Sequence, residues 1–324
     1  MKYRRFGRTG WQVSEIGYGM WGMGGWTGSD DAESLAALQH ALDLGCNFYD
    51  TAWGYGAGHS EGLLGRLVAA NPGRKFYTAT KIPPKNFKWP SRREYSVDDC
   101  FPPDHIEQYV HSSLQNAGIQ SFDLIQFHTW EDAWIRDDRV AKAMDDLRGQ
   151  GLVHAWGISI NRWEPWNGVE TVRSGLIDAV QVIYNIFDQN PEDELFPACQ
   201  ENDVAVIARV PFDEGTLTGT LTVDSKWPEG DWRNTYFVPD NLIPSVRRGD
   251  ALKPLAAGAD LTMPGMALRF ILNNPTVSTI IPGMRKLHHV EANIAASDAG
   301  PLPEELHIQL RDHRWDRHPT KWSQ

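Results

Sequence analysis

The sequence predicts a barrel of eight parallel strands, each followed by a helix, and three observations carry that prediction. Eight apolar runs of five or six residues recur along the 324 positions, amphipathic segments lie between them, and no linker, charge block or low-complexity tract divides the chain. Short apolar runs flanked by polar turns read as strands buried on both faces, and strand then helix, repeated, requires parallel strands. Eight such units leave no residues for a second domain, so residues 1–324 read as one (β/α)8 TIM barrel domain rather than a doubly wound sheet. A chain of this length can bury roughly three quarters of its unfolded surface, which is enough core for one large barrel.

The expected strands lie at residues 16–20, 46–50, 76–80, 123–128, 154–159, 179–184, 204–209 and 276–281. Their starts are separated by 30, 30, 47, 31, 25, 25 and 72 residues. Most of these spacings are close to the ~30 of a βαβ unit. The excesses after the third and seventh strands are expected to be long loops. Helical patterns occupy residues 31–44, 104–117, 137–148 and 286–296, several opening on Asp, whose carboxylate can accept from unpaired backbone N–H groups of the first turn. Residues 2–6 and 12–15 flank Arg8, Thr9 and Gly10 as a hairpin closing the barrel bottom, and residues 303–314 read as an extra C-terminal helix.

Composition narrows the partners. Against 31 Lys and Arg stand 42 Asp and Glu, a net charge of −11. An acidic surface repels phosphate backbones and anionic lipid heads, so neither nucleic acid nor membrane partners are expected. Cys46, Cys100 and Cys199 are odd in number and far apart, with no CxxC pair, so neither a disulfide framework nor a zinc site is expected. The charged start MKYRRFGRTG leads into no apolar run of signal-peptide type, and no stretch approaches the ~18 apolar residues of a membrane span. An unprocessed soluble protein in the reducing cytoplasm is the expectation; the sequence carries no signal for an oligomeric state.

In such a barrel, polar residues where an apolar run stops lie at the catalytic rim. Asp50 ends CNFYD, Tyr55 follows in TAWGYG, Lys81 ends FYTATK and His128 ends DLIQFH, all from three successive strands. A Tyr phenol, with a pKa near ~10, is a poor proton donor or acceptor at neutral pH until a fixed cation stabilises its anion. Lys81 can be that cation, Asp50 can balance a buried ammonium, and His128 can orient a carbonyl oxygen. The set lacks both a primed nucleophile and a metal cluster, and suits proton transfer coupled to cofactor chemistry.

These residues, with RRFGRTGWQVSEIGYG, FYDTAWGYGAGHSEGLLG, LTGTL and TIIPGMRKLHHVEANIAA, resemble the aldo-keto reductase family nearly end to end. The resemblance implies reversible carbonyl reduction with a nicotinamide cofactor and no metal: Tyr55 as proton donor, Lys81 and Asp50 tuning it, and His128 positioning the substrate oxygen. It also implies cofactor contacts at Ser159 and Gln181, at Asn161 one place later than usual, and at Arg209, where the family often carries an aromatic or small residue. A covering loop over residues 211–219 brings in Pro211, Leu217 and Gly219. Gly283, Arg285, His289 and Asn293 match the positions that hold the adenosine 2′-phosphate, and basic side chains at a helix start favour a phosphate there on physical grounds as well. Ala292 replaces a frequent Glu.

Gly17 to Gly22 spells GxGxxG, yet a Rossmann fingerprint opens a helix at once, whereas here a Gly-rich loop intervenes. His288 with His289, and His313 with His318, form no ligand triad at strand ends, so no metal is expected. Of fourteen tryptophans, several fall in loops on the catalytic side, and Trp21, Trp53, Trp89 and Trp130 are expected to line an apolar substrate cavity. The leading expectation is an NADPH-dependent reductase of aldehydes or ketones. Its alternatives are an NAD-dependent sugar or alcohol dehydrogenase and a non-catalytic cofactor-binding module resembling the channel β-subunits. A metal-dependent barrel hydrolase is disfavoured by the missing ligand cluster.

Overall fold

The computed structural model describes residues 1–26 and 28–319. A two-stranded antiparallel hairpin, β1 (Tyr3–Phe6) and β2 (Trp11–Ser14), precedes eight parallel strands: β3 (Tyr18–Gly19), β4 (Phe48–Asp50), β5 (Tyr77–Ile82), β6 (Phe122–His128), β7 (Val153–Ser159), β8 (Ala179–Ile183), β9 (Ala205–Arg209) and β10 (Val277–Ile280). Each of these eight pairs with its sequence neighbour, and parallel bridges from Ile16 to Ile280 and from Gly19 to Gly283 join the first to the last. The predicted (β/α)8 barrel is therefore the observed fold, with the N-terminal hairpin and a C-terminal helix, Glu304–Arg311.

The GxGxxG run is the closing seam. Backbone N–H groups of Gly17 and Gly19 donate to the carbonyls of Ile280 and Pro282. A Cβ on Gly19 would stand 2.5 Å from the Ile281 carbonyl oxygen, and one on Gly17 would stand 2.9 Å from Thr279 Oγ1. Glycine is required there for close backbone approach, and the next helix begins only at Asp31.

Side chains alternate along each strand, so every second residue faces the barrel interior. Phe48, Tyr77, Ala79, Leu124, Ala155, Ala179, Ala205 and Ile207 form an apolar floor with Phe6 and Val13 of the hairpin. The hairpin thus plugs the bottom. Continuing the alternation upward brings Asp50, Lys81, Gln126 and Gln181 into the next layer, and His128, Ser159 and Arg209 to the mouth.

Helix boundaries shift by a few residues from expectation. Asp30, not Asp31, caps Asp31–Asp43 by accepting from the Glu33 N–H at 2.7 Å, and Lys286 stands just before Leu287–Asp298. The segment after β9 departs further, because the expected long loop contains the helices Arg233–Tyr236, Pro239–Gly258 and Met263–Leu272. Pro244 and Pro254 lie inside the second of these, and internal prolines break the helical pattern in a sequence reading. After β5 the excess is mostly loop, carrying only the short helix Val97–Cys100. Among the described residues, no single helix is long and apolar enough to cross a membrane.

Candidate active site

The polar layer above the apolar floor is organised around one ion pair. Lys81 Nζ donates to Asp50 Oδ2 at 2.5 Å, to the Thr51 carbonyl at 2.7 Å and to the Tyr55 hydroxyl at 3.2 Å, so each ammonium proton has an acceptor. Asp50 Oδ1 accepts from the side-chain amides of Gln126 and Gln181, each at 2.9 Å. Both charged side chains are buried. Burial alone lowers the proton affinity of the Lys81 ammonium, but the adjacent Asp50 carboxylate and Tyr55 outweigh it and shift its pKa upward. Lys81 therefore stays charged at neutral pH.

Tyr55 reaches this cation from the turn after β4. The turn is fixed by backbone bonds from Tyr55 N–H to the Ala52 carbonyl and from Ser60 N–H to the Tyr55 carbonyl. Gly56 follows at φ 73°, where a Cβ would stand 2.2 Å from the Gly24 carbonyl oxygen, so only glycine fits. The Lys81 nitrogen lies 4.9 Å from the Tyr55 ring centre, and the His128 ring stands edge-on to Tyr55 at 6.4 Å between centroids. Burial, Lys81 and Arg209 together hold the His128 pKa well below the usual imidazole range, so the ring is neutral at pH 7. A phenol beside a fixed cation, a neutral imidazole across from it and a closed floor beneath make a site that can hold a carbonyl oxygen and give it a proton.

The expected cofactor residues fall into two groups. Near the mouth, Ser159 Oγ is buried with no hydrogen-bond partner among the described residues, and so is Arg209 Nε. Unsatisfied buried donors of this kind fit a ligand amide or oxygen, and the residues present are compatible with a nicotinamide group. Gln181 is engaged with Asp50 and Gln126. Asn161 Oδ1 accepts from the Trp163 N–H, closing its own loop. Farther out, a Cβ on Gly283 would meet nothing within 4 Å, and Leu287–Asp298 starts with no side-chain cap, leaving first-turn N–H groups for an anion. Arg285 holds the Gly28 carbonyl at 2.9 Å. His289 has its pKa lowered by burial, His288, Lys286 and Arg285, so the positive charge there rests on Arg285 and Lys286. Asn293 is buried within the same helix.

Two expectations need correction. Trp130 does not line a cavity: it is fully buried, packs on Phe101, Phe127 and Trp134, and donates from Nε1 to Thr171 Oγ1. Leu217 does not face a ligand: it is fully buried in the core, and its backbone N–H donates to the Phe212 carbonyl at 3.0 Å. Trp53 is half-buried, tied by Nε1 to Ser112 Oγ and packed on Tyr109 and on Phe87, which in turn packs on Trp89. Trp89 does face the mouth, its ring centre 6.0 Å from that of His128. Trp21 is exposed at the rim, stacked on Trp26 and edge-on to Trp232 from the insertion after β9.

One buried cluster escaped the sequence reading. Arg162 and Arg317 both bind Asp188 and Asp213, at 2.5 to 2.9 Å, and Arg162 also reaches the Tyr236 hydroxyl at 2.8 Å. Burial pushes the Asp213 carboxyl up, but Arg317 and Arg162 outweigh it and hold it at about 2. The cluster anchors the loop after β9, where Val210, Asp213 and Glu214 adopt positive φ, and ties the C-terminal tail across it. Its members are 51 and 104 residues apart for Arg162–Asp213 and Arg317–Asp213, so no local pattern announces them. Among the described residues, no three His, Cys, Asp or Glu side chains are grouped to hold a metal ion.

Comparison with known proteins gives a consistent result. The aldo/keto reductase family model matches residues 15–314. The NADH-specific methylglyoxal reductase of Escherichia coli (strain K12) is 29% identical over 311 residues, covering 91% of this chain and 93% of that protein. An aldo-keto reductase of Schizosaccharomyces pombe, named for NADP(+), is 28% identical over 295 residues, covering 88% of this chain and 84% of its own. The holo form of an aldo-keto reductase from Bacillus halodurans superposes over 100% of both chains with a TM-score of 0.77 at 25% identity.

Proposed function

The chain belongs to the aldo/keto reductase family and is an NAD(P)H-dependent oxidoreductase; within that activity we propose that it reduces a small aldehyde or ketone with NADPH. The observation that carries this reading is the shared donor: Lys81 Nζ binds the Asp50 carboxylate and the Tyr55 hydroxyl together. When bound, the cofactor supplies hydride to the carbonyl carbon. Tyr55 gives its hydroxyl proton to the carbonyl oxygen as negative charge develops there, and Lys81, held charged by Asp50, stabilises the phenolate left behind. The neutral His128 donates a hydrogen bond that positions the oxygen. Trp89 and the aromatic rim of Trp21 reduce the access of water.

Preference for NADPH rests on Arg285 and Lys286, whose charges lie at a helix start in a protein of net charge −11. Ser159 and Asn161 with the loop of Pro211 and Gly219 complete the proposed cofactor contacts, along with Gly283, His289 and Asn293. A cytoplasmic protein whose partner is a small carbonyl compound, rather than nucleic acid or membrane, agrees with that charge. A panel of carbonyls and alcohols assayed with NADPH, NADH and their oxidised forms tests the proposal. Carbonyl reduction that prefers NADPH supports it, and turnover only of alcohols with NAD+ overturns it.

A further inference from the structure

The loop after β9 keeps an unfavourable backbone shape that groups from elsewhere in the chain hold in place. Val210, Asp213 and Glu214 have φ of 54°, 45° and 57°, three of the seven positive φ values outside glycine among the described residues. A side chain in that region crowds its own backbone, and the conformation persists only where the surroundings impose it. Asn185 donates to the Val210 carbonyl at 3.1 Å, and Asp213 supplies a stronger tie. Its carboxylate accepts from Arg317 of the C-terminal tail at 2.8 and 3.3 Å and from Arg162 of the loop after β7 at 2.5 Å. Asp188, in the loop after β8, accepts from the same two guanidinium groups at 2.6 and 2.9 Å. The tail is also seated without Arg317, because the Trp315 N–H donates to the Phe187 carbonyl at 2.8 Å and Arg314 pairs with Asp193 at 2.6 Å.

Two buried guanidinium groups thus face two carboxylates, and the balance depends on the tail. Without Arg317, Asp188 and Asp213 would share Arg162 alone, with Glu214 a further 4.0 Å from it. The surplus buried negative charge would favour moving the strained loop out to water. We propose that Arg317 is a positioning residue for the nicotinamide cofactor: acting through Asp213, it latches the loop of Pro211 and Gly219 over the bound dinucleotide and sets the rate at which it leaves. The inference rests on the cofactor contacts proposed above for that loop and extends them to a residue of the tail.

Dissociation of NADPH and of NADH is followed by recovery of tryptophan fluorescence in stopped flow, and hydrogen exchange of residues 210–219 is followed in the cofactor-free protein. The variants are Arg317→Met, Arg317→Lys, and Arg317→Met combined with Asp213→Asn. Arg317→Met should speed exchange in the loop and raise both dissociation rates by roughly 10- to 150-fold, the contribution of a charge-assisted hydrogen bond. The two cofactors should respond alike, because the latch does not involve the 2′-phosphate contact proposed for Arg285. Arg317→Lys should restore part of the retention. Adding Asp213→Asn to Arg317→Met evens the charge and should recover unfolding stability, while the dissociation rates stay high because the latch is still broken. Rates that return together with stability would make the cluster a support of the fold alone and overturn the proposal, as would unchanged loop exchange in Arg317→Met. Faster exchange with unchanged dissociation also overturns it, and places the failure in the cofactor contacts proposed for the loop rather than in the latch.

Discussion

Asp50 and Lys81 meet at 2.5 Å in a layer of the barrel interior sealed from below by the apolar floor, and the lysine spends its other two protons on a backbone carbonyl and on Tyr55. The pair is therefore both a structural unit and the source of the charge that acts on the phenol. Removing either partner leaves the other as an uncompensated buried charge, typically a loss of about 3 to 5 kcal/mol. Lys81→Met should lower both stability and turnover. Asp50→Asn with Lys81→Met should recover much of the stability but not the turnover, measured by denaturant unfolding and steady-state rates. Strictly additive stability losses would show that the two side chains are not coupled.

Tyr55→Phe keeps the ring against His128 and Lys81 but removes the proton. Turnover of a carbonyl substrate should fall by ~10²-fold or more, the usual contribution of a general acid. Cofactor affinity should hold, and a variant retaining most of the wild-type rate would remove Tyr55 from the role of acid.

Arg285→Ala separates NADPH from NADH. Losing a guanidinium from the 2′-phosphate should weaken NADPH by roughly 10- to 150-fold and leave NADH nearly unchanged. Titration of each cofactor by tryptophan quenching reads this directly. Equal small losses for both would make the basic run a solvated helix start.

The two tryptophans that the sequence treats alike should behave differently. Trp89→Ala opens the mouth beside His128, so relative rates should shift towards bulkier carbonyls with little change in stability. Trp130→Ala removes a fully buried indole from the packing of Phe101, Phe127 and Trp134, a loss of about 3 to 5 kcal/mol in unfolding free energy. A profile that shifts with Trp130 and not with Trp89 would reverse the assignment.

Glu131 supplies a pH dependence. Burial first, then the neighbouring Glu164, raises its carboxyl from 4.5 to about 7, and its Oε1 has no hydrogen-bond partner among the described residues. A folded pKa above the unfolded one means that the native state holds the proton longer. Stability linked to this group is complete below about pH 4.5 and falls as pH rises through 7. Glu131→Gln should therefore leave the unfolding free energy nearly unchanged at pH 4 and raise it at pH 8 by an amount on the order of 1 to 3 kcal/mol, with Tm rising accordingly. An equal effect at both pH values would show that Glu131 is not the titrating group.

The sequence by itself determined the barrel and the chemistry at its rim. Strand count, strand spacing and the placing of Asp50, Lys81 and His128 at run ends follow from periodicity and chain order, which are local properties of a sequence. The same logic exposed the seam glycines as something other than a dinucleotide fingerprint, since no helix pattern follows them. Tertiary structure alone decided what depends on direction and distance. It turned Trp130 into the core and Trp89 into the mouth although both sit in rim loops, because side-chain direction in a loop has no period to read. It built helices into the segment after β9, where Pro244 and Pro254 hide the helical pattern and packing overrides them. It assembled Arg162, Asp188, Asp213 and Arg317 from four separate stretches, and left the buried Arg209 Nε at the mouth with no hydrogen-bond partner among the described residues. Whether a buried charge is paired depends on what the fold brings beside it, and that is a property of space rather than of sequence order.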